Sequence, residues 1–417
     1  MRSWRCCEGL VSGRMTEYSI IRLGHQGDGI AAGPVFVPRT LPGEEVDGSV
    51  HDGRIEEPKA LTPSPDRVKA PCRHYKSCGG CALQHASDEF VANWKVSVVE
   101  AALAARGLAT NVRGIATSPP QSRRRATLTA RRTKKGALVG FHAPRSDVLT
   151  EIPDCHLLSP ALLAGIETAR ALTIAGGSRK GELRLTLTES VAGLDIAVTG
   201  GKPLDLTLET ALAQIVGEHG LARLTWNGEV IAMTGAPAQK FGTAPVTVPP
   251  GAFLQATREG EAALLAAVRE AVGDAKRVID LFAGAGTFTL PLAAAAEVHA
   301  VEGDAAMLAA LDAGWRHSSG LHSVTTETRD LFRRPLLSDE LSADAVVIDP
   351  PRAGAEAQVH EIAKSDVPRI AAVSCNPVTF ARDAEILTTA GYDLSWLVVV
   401  DQFRWSPHVE LAAAFTR

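Results

Sequence analysis

The sequence predicts an α/β protein in three parts: a small N-terminal β-barrel, a β-rich central domain and a C-terminal Rossmann-like domain. Its 417 residues correspond to two or three domains of ordinary size. The 45% of apolar and 22% of charged residues are typical of folded globular proteins, which excludes a disordered or fibrous chain. From about residue 249, short runs rich in Val, Ile and Leu alternate with helical stretches, as in a doubly wound parallel sheet.

The N-terminal barrel is predicted for residues 15–65. Apolar runs at 18–21, 35–37 and 46–51 are separated by glycines and prolines, which is the pattern of short strands joined by tight turns. Four prolines between residues 58 and 71 predict a linker to the next part of the chain.

The first 14 residues contain neither an apolar run nor a secretory cleavage pattern. We therefore expect residues 1–14 to be a disordered extension, with Met15 as an alternative start. No stretch approaches the roughly 18 consecutive apolar residues of a membrane helix. We expect a cytoplasmic protein that works as a monomer and contacts no membrane.

The central domain is predicted to comprise residues 66–86 and 118–248. Its main signal is two hairpins, at 125–141 and 183–198, in which polar and apolar residues alternate along both arms.

A helix is predicted at 87–106, where Ser87 can cap the first turn. One face of this helix is expected to carry its apolar side chains: Phe90, Trp94, Val98 and Leu103. We assign residues 87–117, together with 249–417, to the C-terminal domain.

A basic stretch stands out in an otherwise acidic chain. The net charge is −4, yet no Asp or Glu occurs between residues 101 and 146. The same stretch contains ten basic side chains: Arg106, Arg113, Arg123, Arg124, Arg125, Arg131, Arg132, Lys134, Lys135 and Arg145. Because protein surfaces normally mix charges of both signs, this stretch predicts a face that binds a polyanion.

Cysteine spacing predicts a metal site. Seven cysteines without a signal peptide do not fit a disulfide framework. Cys72, Cys78 and Cys81 are separated by five and then two residues, and the two glycines between the last pair allow a tight turn that lets both face one centre. Thiolates in this pattern suit zinc or an iron–sulfur cluster, and the spacing does not choose between them. Cys155 lies far along the chain.

A glycine-rich turn follows the predicted strand at 277–282. Its sequence, Asp-Leu-Phe-Ala-Gly-Ala-Gly, begins at Asp280, and Gly284 and Gly286 let backbone amides approach a ligand at the start of the next helix. The third glycine of a dinucleotide fingerprint is missing, because Thr289 takes its place. An acid at Asp280 suits the amino acid part of S-adenosylmethionine better than it suits a pyrophosphate.

Two further carboxylates follow neighbouring strands. Glu302 ends the second strand and can accept hydrogen bonds from both hydroxyls of a ribose, and Asp330, after the third strand, can reach an adenine edge.

Three more residues with reactive side chains lie near later strand ends. Asp349, in Asp-Pro-Pro-Arg, can accept a hydrogen bond from the imide nitrogen of a uracil. Cys375, in Ser-Cys-Asn-Pro, can be a nucleophile if its pKa is lowered, and Glu410, in His-Val-Glu, can be a general base. Because parallel strands end at one edge of a sheet, we expect Glu302, Asp349 and Cys375 on one rim.

Taken in order, these motifs resemble the class I S-adenosylmethionine-dependent RNA (uracil-5-)methyltransferases. The resemblance covers about the last 170 residues and includes Phe-Leu-Gln ending at Gln255 as well as the motifs above. The combination of Ser-Cys-Asn-Pro with a later His-x-Glu is highly specific for this family.

The resemblance implies a reaction and a set of roles. Cys375 would add to carbon 6 of uracil, carbon 5 would take the methyl group, and Glu410 would remove the carbon 5 proton, while Asp349 holds the imide edge. The base must leave its stack to reach such a pocket. The implied cofactor site consists of Gln255, Asp280, Phe282, Gly284, Gly286, Glu302, Asp330 and Asp349.

The cysteine pattern is similar to the ribosomal RNA branch of the family, in which a [4Fe–4S] cluster is bound. Cys155 falls where that branch has its fourth ligand, which implies a cluster on Cys72, Cys78, Cys81 and Cys155. The first part resembles a TRAM domain, an RNA-binding barrel. The resemblance therefore implies 23S rRNA as the substrate, held by the barrel and the basic hairpin.

Two features leave alternatives open. The family usually has Phe-Pro and a Thr before the His, whereas this chain has Phe-Arg-Trp-Ser-Pro at 403–407, so the loop before Glu410 is expected to differ. A tRNA (uracil-5-)methyltransferase is one alternative. A non-catalytic iron–sulfur RNA-binding protein is another, although it predicts a missing nucleophile or base. A cytosine-5 methyltransferase is disfavoured, because Arg352 stands where those enzymes have Cys. A redox enzyme lacks its complete flavin or nicotinamide fingerprint.

Overall fold

The N-terminal part is a five-stranded antiparallel sheet. The computed structural model describes residues 17–417, so the expectation for residues 1–14 lies outside the described residues. The strands are β1 (Glu17–Leu23), β2 (Gly29–Ala31), β3 (Val35–Val37), β4 (Glu45–Asp47) and β5 (Lys59–Thr62), in the order β3-β2-β1-β4-β5. The linker predicted at 58–71 was wrong in part, because residues 59–62 pair with β4.

Helix α1 (Asp88–Ala104) links this part to the C-terminal domain. The Ser87 side chain accepts a hydrogen bond from the amide of Phe90 and caps the helix as predicted. The buried face contains Val91, Lys95, Val99 and Leu103, so the predicted face was wrong by one residue. The reason is that the helix packs on two sides: Val99 and Leu103 enter the core of the large sheet, whereas half-buried Phe90 and Trp94 lie against the segment after the cysteines. Strand β6 (Val112–Thr117) follows.

The central domain is a seven-stranded sheet covered by two helices. The strands are β7 (Arg125–Arg132), β8 (Ala137–His142), β9 (Leu149–Glu151), β10 (Glu182–Ser190), β11 (Gly193–Thr199), β12 (Arg223–Trp226) and β13 (Glu229–Met233), in the order β13-β12-β11-β10-β7-β8-β9. The pairs β7–β8 and β10–β11 are the two predicted hairpins. The helices are α2 (Pro160–Gly176) and α3 (Leu206–His219). A short hairpin, β14 (Ala238–Phe241) and β15 (Ala244–Thr247), leads to the last domain.

The C-terminal domain is built on an eight-stranded sheet. Its strands are β16 (Arg277–Leu281), β17 (Glu297–Glu302), β18 (Val324–Thr328), β19 (Ala345–Ile348), β20 (Arg369–Ser374), β21 (Asp393–Asp401) and β22 (Glu410–Thr416), together with β6, in the order β18-β17-β16-β19-β20-β22-β21-β6. Strands β16 to β20 are parallel, and β22 runs antiparallel between β20 and β21. This is the expected doubly wound arrangement, with an added antiparallel strand.

Helices cover both faces of this sheet. They are α4 (Arg258–Val272), α5 (Thr289–Leu292), α6 (Ala305–Arg316), α7 (Glu356–Lys364) and α8 (Pro377–Thr389). Two apolar layers result, one containing side chains of α4 and α6 and the other containing those of α1, α7 and α8. The helix predicted after the glycine turn is a single turn, α5. No helix among residues 17–417 is long and apolar enough to cross a membrane.

The basic stretch is not the uncompensated face that was predicted. Five of its ten cations form ion pairs with carboxylates distant in sequence: Arg106–Glu385, Arg113–Glu270, Arg124–Glu261, Arg131–Glu182 and Arg145–Glu56. Three more arginines donate to backbone carbonyl groups: Arg123, Arg125 and Arg132. Eight of the ten cations therefore have partners within the chain, and only the turn lysines Lys134 and Lys135 make no such contact among the described residues.

A buried ion pair joins α1 to the end of β21. The Lys95 ammonium lies 2.6 Å from Asp401 and 3.2 Å from the carbonyl oxygen of Phe403, and neither charged side chain is more than 1% exposed. Removing one partner leaves the other charge buried and unpaired, which is strongly destabilising.

We predict that Lys95→Met lowers the free energy of unfolding by roughly 3–5 kcal/mol. The matched control is Lys364→Met, because Lys364 is 62% exposed and the loss of its pair with Glu361 is expected to cost less than about 1 kcal/mol. Denaturant unfolding of the two variants measures the difference. Equal, small losses in both would show that the buried pair does not stabilise the junction.

Candidate active site

A cavity of about 800 Å³ opens at the carboxyl ends of the parallel strands. It lies beside β16 and β19, where the strand order reverses and where open α/β sheets bind ligands. Eight of the ten residues predicted for catalysis and cofactor binding line it: Gln255, Phe282, Gly284, Glu302, Asp330, Asp349, Cys375 and Glu410. This space of ligand size is thus lined by residues from the carboxyl ends of five strands, from the start of β22 and from the segment before α4.

One half of the cavity is built by the glycine turn and Glu302. Phe282 and Gly284 both have positive φ angles, 62° and 55°, which turn the chain sharply after β16. The Glu302 carboxylate accepts hydrogen bonds from the amides of Gly284 at 3.0 Å and Asp304 at 2.9 Å. These bonds hold the carboxylate at the rim before any ligand arrives.

An apolar slot adjoins Glu302. The rings of Phe282 and Phe332 lie 5.4 Å apart, and Met307 from α6 lines the same space. Such a slot fits a flat ring. Phe332 and Met307 were not predicted as site residues. An aromatic or Met residue near a strand end has no sequence pattern that distinguishes a ligand contact from ordinary core packing.

Two predicted residues do not line the cavity. Asp280 is completely buried below the glycine turn, where its Oδ2 accepts a hydrogen bond from the Thr289 hydroxyl at 2.6 Å and its Oδ1 has no partner among the described residues. Burial raises the pKa of Asp280 to about 7. Gly286 has a packing role, since a Cβ atom there would lie 2.8 Å from Leu311.

The other half of the cavity contains three acidic groups from three strands. Asp349 follows β19, Cys375 follows β20, and Glu410 begins β22. Burial raises the pKa of Glu410 to about 7, and burial together with the charge of Glu410 raises the pKa of Asp349 to about 7. Burial, then Glu410 and Asp349, raise the pKa of the Cys375 thiol above its ordinary value. The thiol is therefore not activated by its surroundings in the absence of a ligand.

The loop holding Cys375 is tied to the loop after Asp349. Asn376 caps α8 by accepting a hydrogen bond from the amide of Val378, and its side-chain amide donates to the carbonyl of Arg352 at 2.9 Å. This hydrogen bond fixes the position of the loop that carries Cys375 relative to the loop that follows Asp349.

The loop before Glu410 is held by the segment after the cysteines. The carbonyl of Trp405 accepts hydrogen bonds from the amides of Ala82 and Leu83, and Trp405 itself has a positive φ of 58°. Arg404 forms an ion pair with Asp88 at the start of α1. The unusual sequence of this loop thus has partners in its own chain.

The four predicted metal-ligating cysteines, Cys72, Cys78, Cys81 and Cys155, line one small pocket, beside Phe141. All four are free thiols. Within residues 17–417, no three His, Cys, Asp or Glu side chains lie close enough together to hold one metal ion. Residues of the cysteine loop (72–81) and of the segment before α2 therefore meet here, but they are not arranged to bind a single metal ion.

Comparisons with known proteins show which proteins this chain is similar to. The family model described as tRNA (Uracil-5-)-methyltransferase matches residues 316–417. An uncharacterized RNA methyltransferase of Rhizobium meliloti is 47% identical over 96% of this chain and 99% of its own. The 23S rRNA (uracil(1939)-C(5))-methyltransferase RlmD of Halomonas elongata is 34% identical over 94% of this chain and 88% of its own.

A solved structure shares the whole fold. The tRNA (uracil-54, C5)-methyltransferase of Pyrococcus abyssi, in complex with S-adenosyl-L-homocysteine, has a TM-score of 0.76 and 22% identity, covering 96% of this chain and 99% of its own. At that identity the match shows the fold of the chain.

The charges around Cys375 generate a testable prediction. Glu410→Gln removes a negative neighbour, lowers the pKa of the Cys375 thiol and so increases its thiolate fraction at a fixed pH of about 8. We expect iodoacetamide to label Cys375 several-fold faster in this variant, as measured by peptide mass spectrometry. Glu361→Gln, on the surface of α7, is the control. An unchanged or slower rate would show that Glu410 does not act on the thiol.

Proposed function

The chain belongs to the RNA (uracil-5-)methyltransferase family, and we propose that it makes 5-methyluridine in 23S rRNA with Cys375 as nucleophile and Glu410 as base. One observation carries the proposal: Cys375, Asp349 and Glu410 line the same cavity as the glycine turn and Glu302. The cavity therefore combines a thiol, a hydrogen-bond acceptor for a nucleobase and a general base that can accept a proton. These groups lie beside the part of the cavity that suits a nucleoside. That is the set of groups that methylation of uracil carbon 5 requires.

The glycine-turn half of the cavity fits S-adenosylmethionine. Glu302 is held in place by two backbone amides and offers its carboxylate to a ribose, while the slot of Phe282, Phe332 and Met307 suits adenine. The Asp280 carboxylate, whose Oδ1 has no partner among the described residues, lies beneath the glycine turn that would hold the amino acid part of the cofactor. When bound there, S-adenosylmethionine supplies an electrophilic methyl group.

The protein's own groups carry the remaining steps. Asp349 accepts a hydrogen bond from the imide nitrogen of the flipped uracil and orients the ring. The Cys375 thiol loses its proton to solvent and the sulfur adds to carbon 6 as the thiolate, and the electrons of the ring double bond make carbon 5 nucleophilic. After carbon 5 is methylated, Glu410 removes its proton. The double bond re-forms and Cys375 leaves as a thiolate, which restores the protein.

The pKa of Glu410 sets the expected pH dependence of proton removal. A base must be ionised, and burial raises the pKa of Glu410 to about 7. Proton removal is therefore slow below pH 7 and reaches its plateau above it.

The choice of 23S rRNA rests on the relative that covers nearly the whole chain. RlmD of Halomonas elongata acts on 23S rRNA and is 34% identical over 94% of this chain. The Pyrococcus abyssi protein, which acts on tRNA, supports the alternative substrate. The N-terminal sheet would act as a TRAM-like RNA contact in either case. We also propose that the protein works as a monomer in the cytoplasm.

Methyl transfer to two RNAs tests the substrate. With labelled S-adenosylmethionine, we expect 5-methyluridine in unmodified 23S rRNA and none in unmodified tRNA, as identified by mass spectrometry of the nucleosides. Cys375→Ala should transfer no methyl group while still binding RNA. Label in tRNA alone would overturn the choice of substrate and leave the chemistry intact.

We propose that the cysteine pocket holds an iron–sulfur cluster. Cys72, Cys78, Cys81 and Cys155 line one pocket as free thiols. Four thiols are the donor set of a [4Fe–4S] cluster, in which each thiolate binds a different iron. When bound, the cluster would cross-link the cysteine loop to the segment before α2, which we propose as its structural role.

Iron content and thermal stability test this role. Protein purified without oxygen is expected to hold about four iron atoms per chain. Cys81→Ser should lose the cluster and melt several degrees lower, whereas Ser77→Ala in the same loop should change neither property. Iron-free protein with an unchanged melting temperature would contradict a structural cluster, and bound zinc would contradict its identity.

A further inference from the structure

We infer that Gln402 is a positioning residue, which holds the Glu410 carboxylate in the orientation for removing the carbon 5 proton. The inference rests on the proposed function and adds to it a residue that does not itself contact the reacting atoms. Gln402 follows β21 and is only 2% exposed.

Backbone contacts decide which way the Gln402 amide points. Its Oε1 accepts hydrogen bonds from the amides of Ala256 at 2.7 Å and Thr257 at 3.3 Å. Backbone N–H groups can only donate, so the oxygen must face them and the NH₂ group must face the other way. The orientation of the side chain therefore follows from its partners.

The NH₂ group of Gln402 donates hydrogen bonds to two side chains that line the cavity. Its two protons go to Oε2 of Glu410 and, at 2.5 Å, to Oε1 of Gln255. All four hydrogen-bonding positions of Gln402 are thereby used, and a satisfied buried network of this kind is rigid. Within residues 17–417 no group donates to Oε1 of Glu410, which leaves this oxygen available at the cavity.

The strand end that carries Gln402 is itself anchored. Asp401 is paired with Lys95 and accepts a hydrogen bond from the amide of Phe403. Gln402 thus connects a rigid strand end to Glu410, whose own strand begins at the cavity. The charged and titratable groups that face Glu410 are Asp349, Cys375, Asp401 and Lys95.

A base held 1 Å out of place can lose on the order of 100-fold in rate. Loss of the Gln402 hydrogen bond should therefore slow the step that needs Glu410 and spare the steps before it. Cys375 would still add to the uracil and the methyl group would still reach carbon 5. The methylated RNA would then stay attached to Cys375.

Gln402→Glu removes the donor side of this network. The new carboxylate keeps an acceptor for the amides of Ala256 and Thr257 but loses the donors to Glu410 and to Gln255. Gln358→Glu is the matched control, because Gln358 is also fully buried and bonded to backbone, at Leu336, away from the cavity. Gln402→Met, which removes the donor without adding charge, is the second variant.

The experiment follows labelled methyl and RNA on a denaturing gel, using unmodified 23S rRNA and, separately, unmodified tRNA. Wild-type protein is expected to release 5-methyluridine without a lasting adduct. Gln402→Glu and Gln402→Met should accumulate a protein–RNA adduct carrying the methyl group, with release slowed about 10- to 100-fold. In Gln402→Glu the pH profile of release should also move up by about one unit.

Four other results are decisive. Release at the wild-type rate in both Gln402 variants would overturn the inference, and so would an adduct in Gln358→Glu. A uniform loss of methyl transfer without adduct, in variants that still bind S-adenosyl-L-homocysteine, would also overturn it. No 5-methyluridine from wild-type protein on either RNA would mean that the proposed function has failed, and the inference would fall with it.

Discussion

The antiparallel pairing of β22 with β20 is the constraint on which the site depends. Parallel strands all end at one edge of the sheet, so they alone bring Glu302, Asp349 and Cys375 to the cavity. Because β22 runs the other way, its first residue lies at that same edge. Ser374 pairs with Leu411, which places Glu410 beside the loop of Cys375. A slip of one residue would turn Glu410 to the opposite face of the sheet.

Burial then determines the direction in which the pKa values of Asp349, Cys375 and Glu410 shift. Burial opposes the ionisation of Asp349, Cys375 and Glu410, and the charge of Glu410 adds to this effect at Asp349 and Cys375. Behind the cavity, Asp401 raises the pKa of Glu410 and its partner Lys95 lowers it, while the hydrogen bond from Gln402 partly offsets the cost of ionising Glu410. The contacts of Trp405 with the segment after the cysteines connect this arrangement to the cysteine pocket. The junction of α1, the cysteine loop and β21 is therefore part of the active site's support.

The sequence predicted the strand ends well, because buried parallel strands are nearly continuous apolar runs and their carboxyl ends form one rim. It did not predict β22 as a strand, since the run Leu-Ala-Ala-Ala-Phe has little strand propensity and is stabilised by its two neighbours. The position of Glu410 was thus reached only through the resemblance. No motif in the sequence identified Gln402 as a functional residue.

The basic stretch has partners within the chain for a physical reason. Charge counted along the chain ignores carboxylates that the fold brings from far away, such as Glu261 and Glu270. A window of sequence does not contain such contacts between distant residues. Asp280 was predicted to bind the cofactor, and the turn after it folds over its carboxylate and keeps it out of the cavity wall.

We propose that Cys375 forms a covalent bond with the uracil while carbon 5 is methylated. This bond is tested by replacing the target uridine with 5-fluorouridine, which has no carbon 5 proton for Glu410 to remove, so the adduct cannot be released. With S-adenosylmethionine and wild-type protein, we expect a stable adduct whose peptide contains Cys375 linked to a methylated fluorouridine. Methylated RNA released from a protein whose Cys375 is unmodified, or an adduct at another residue, would contradict it.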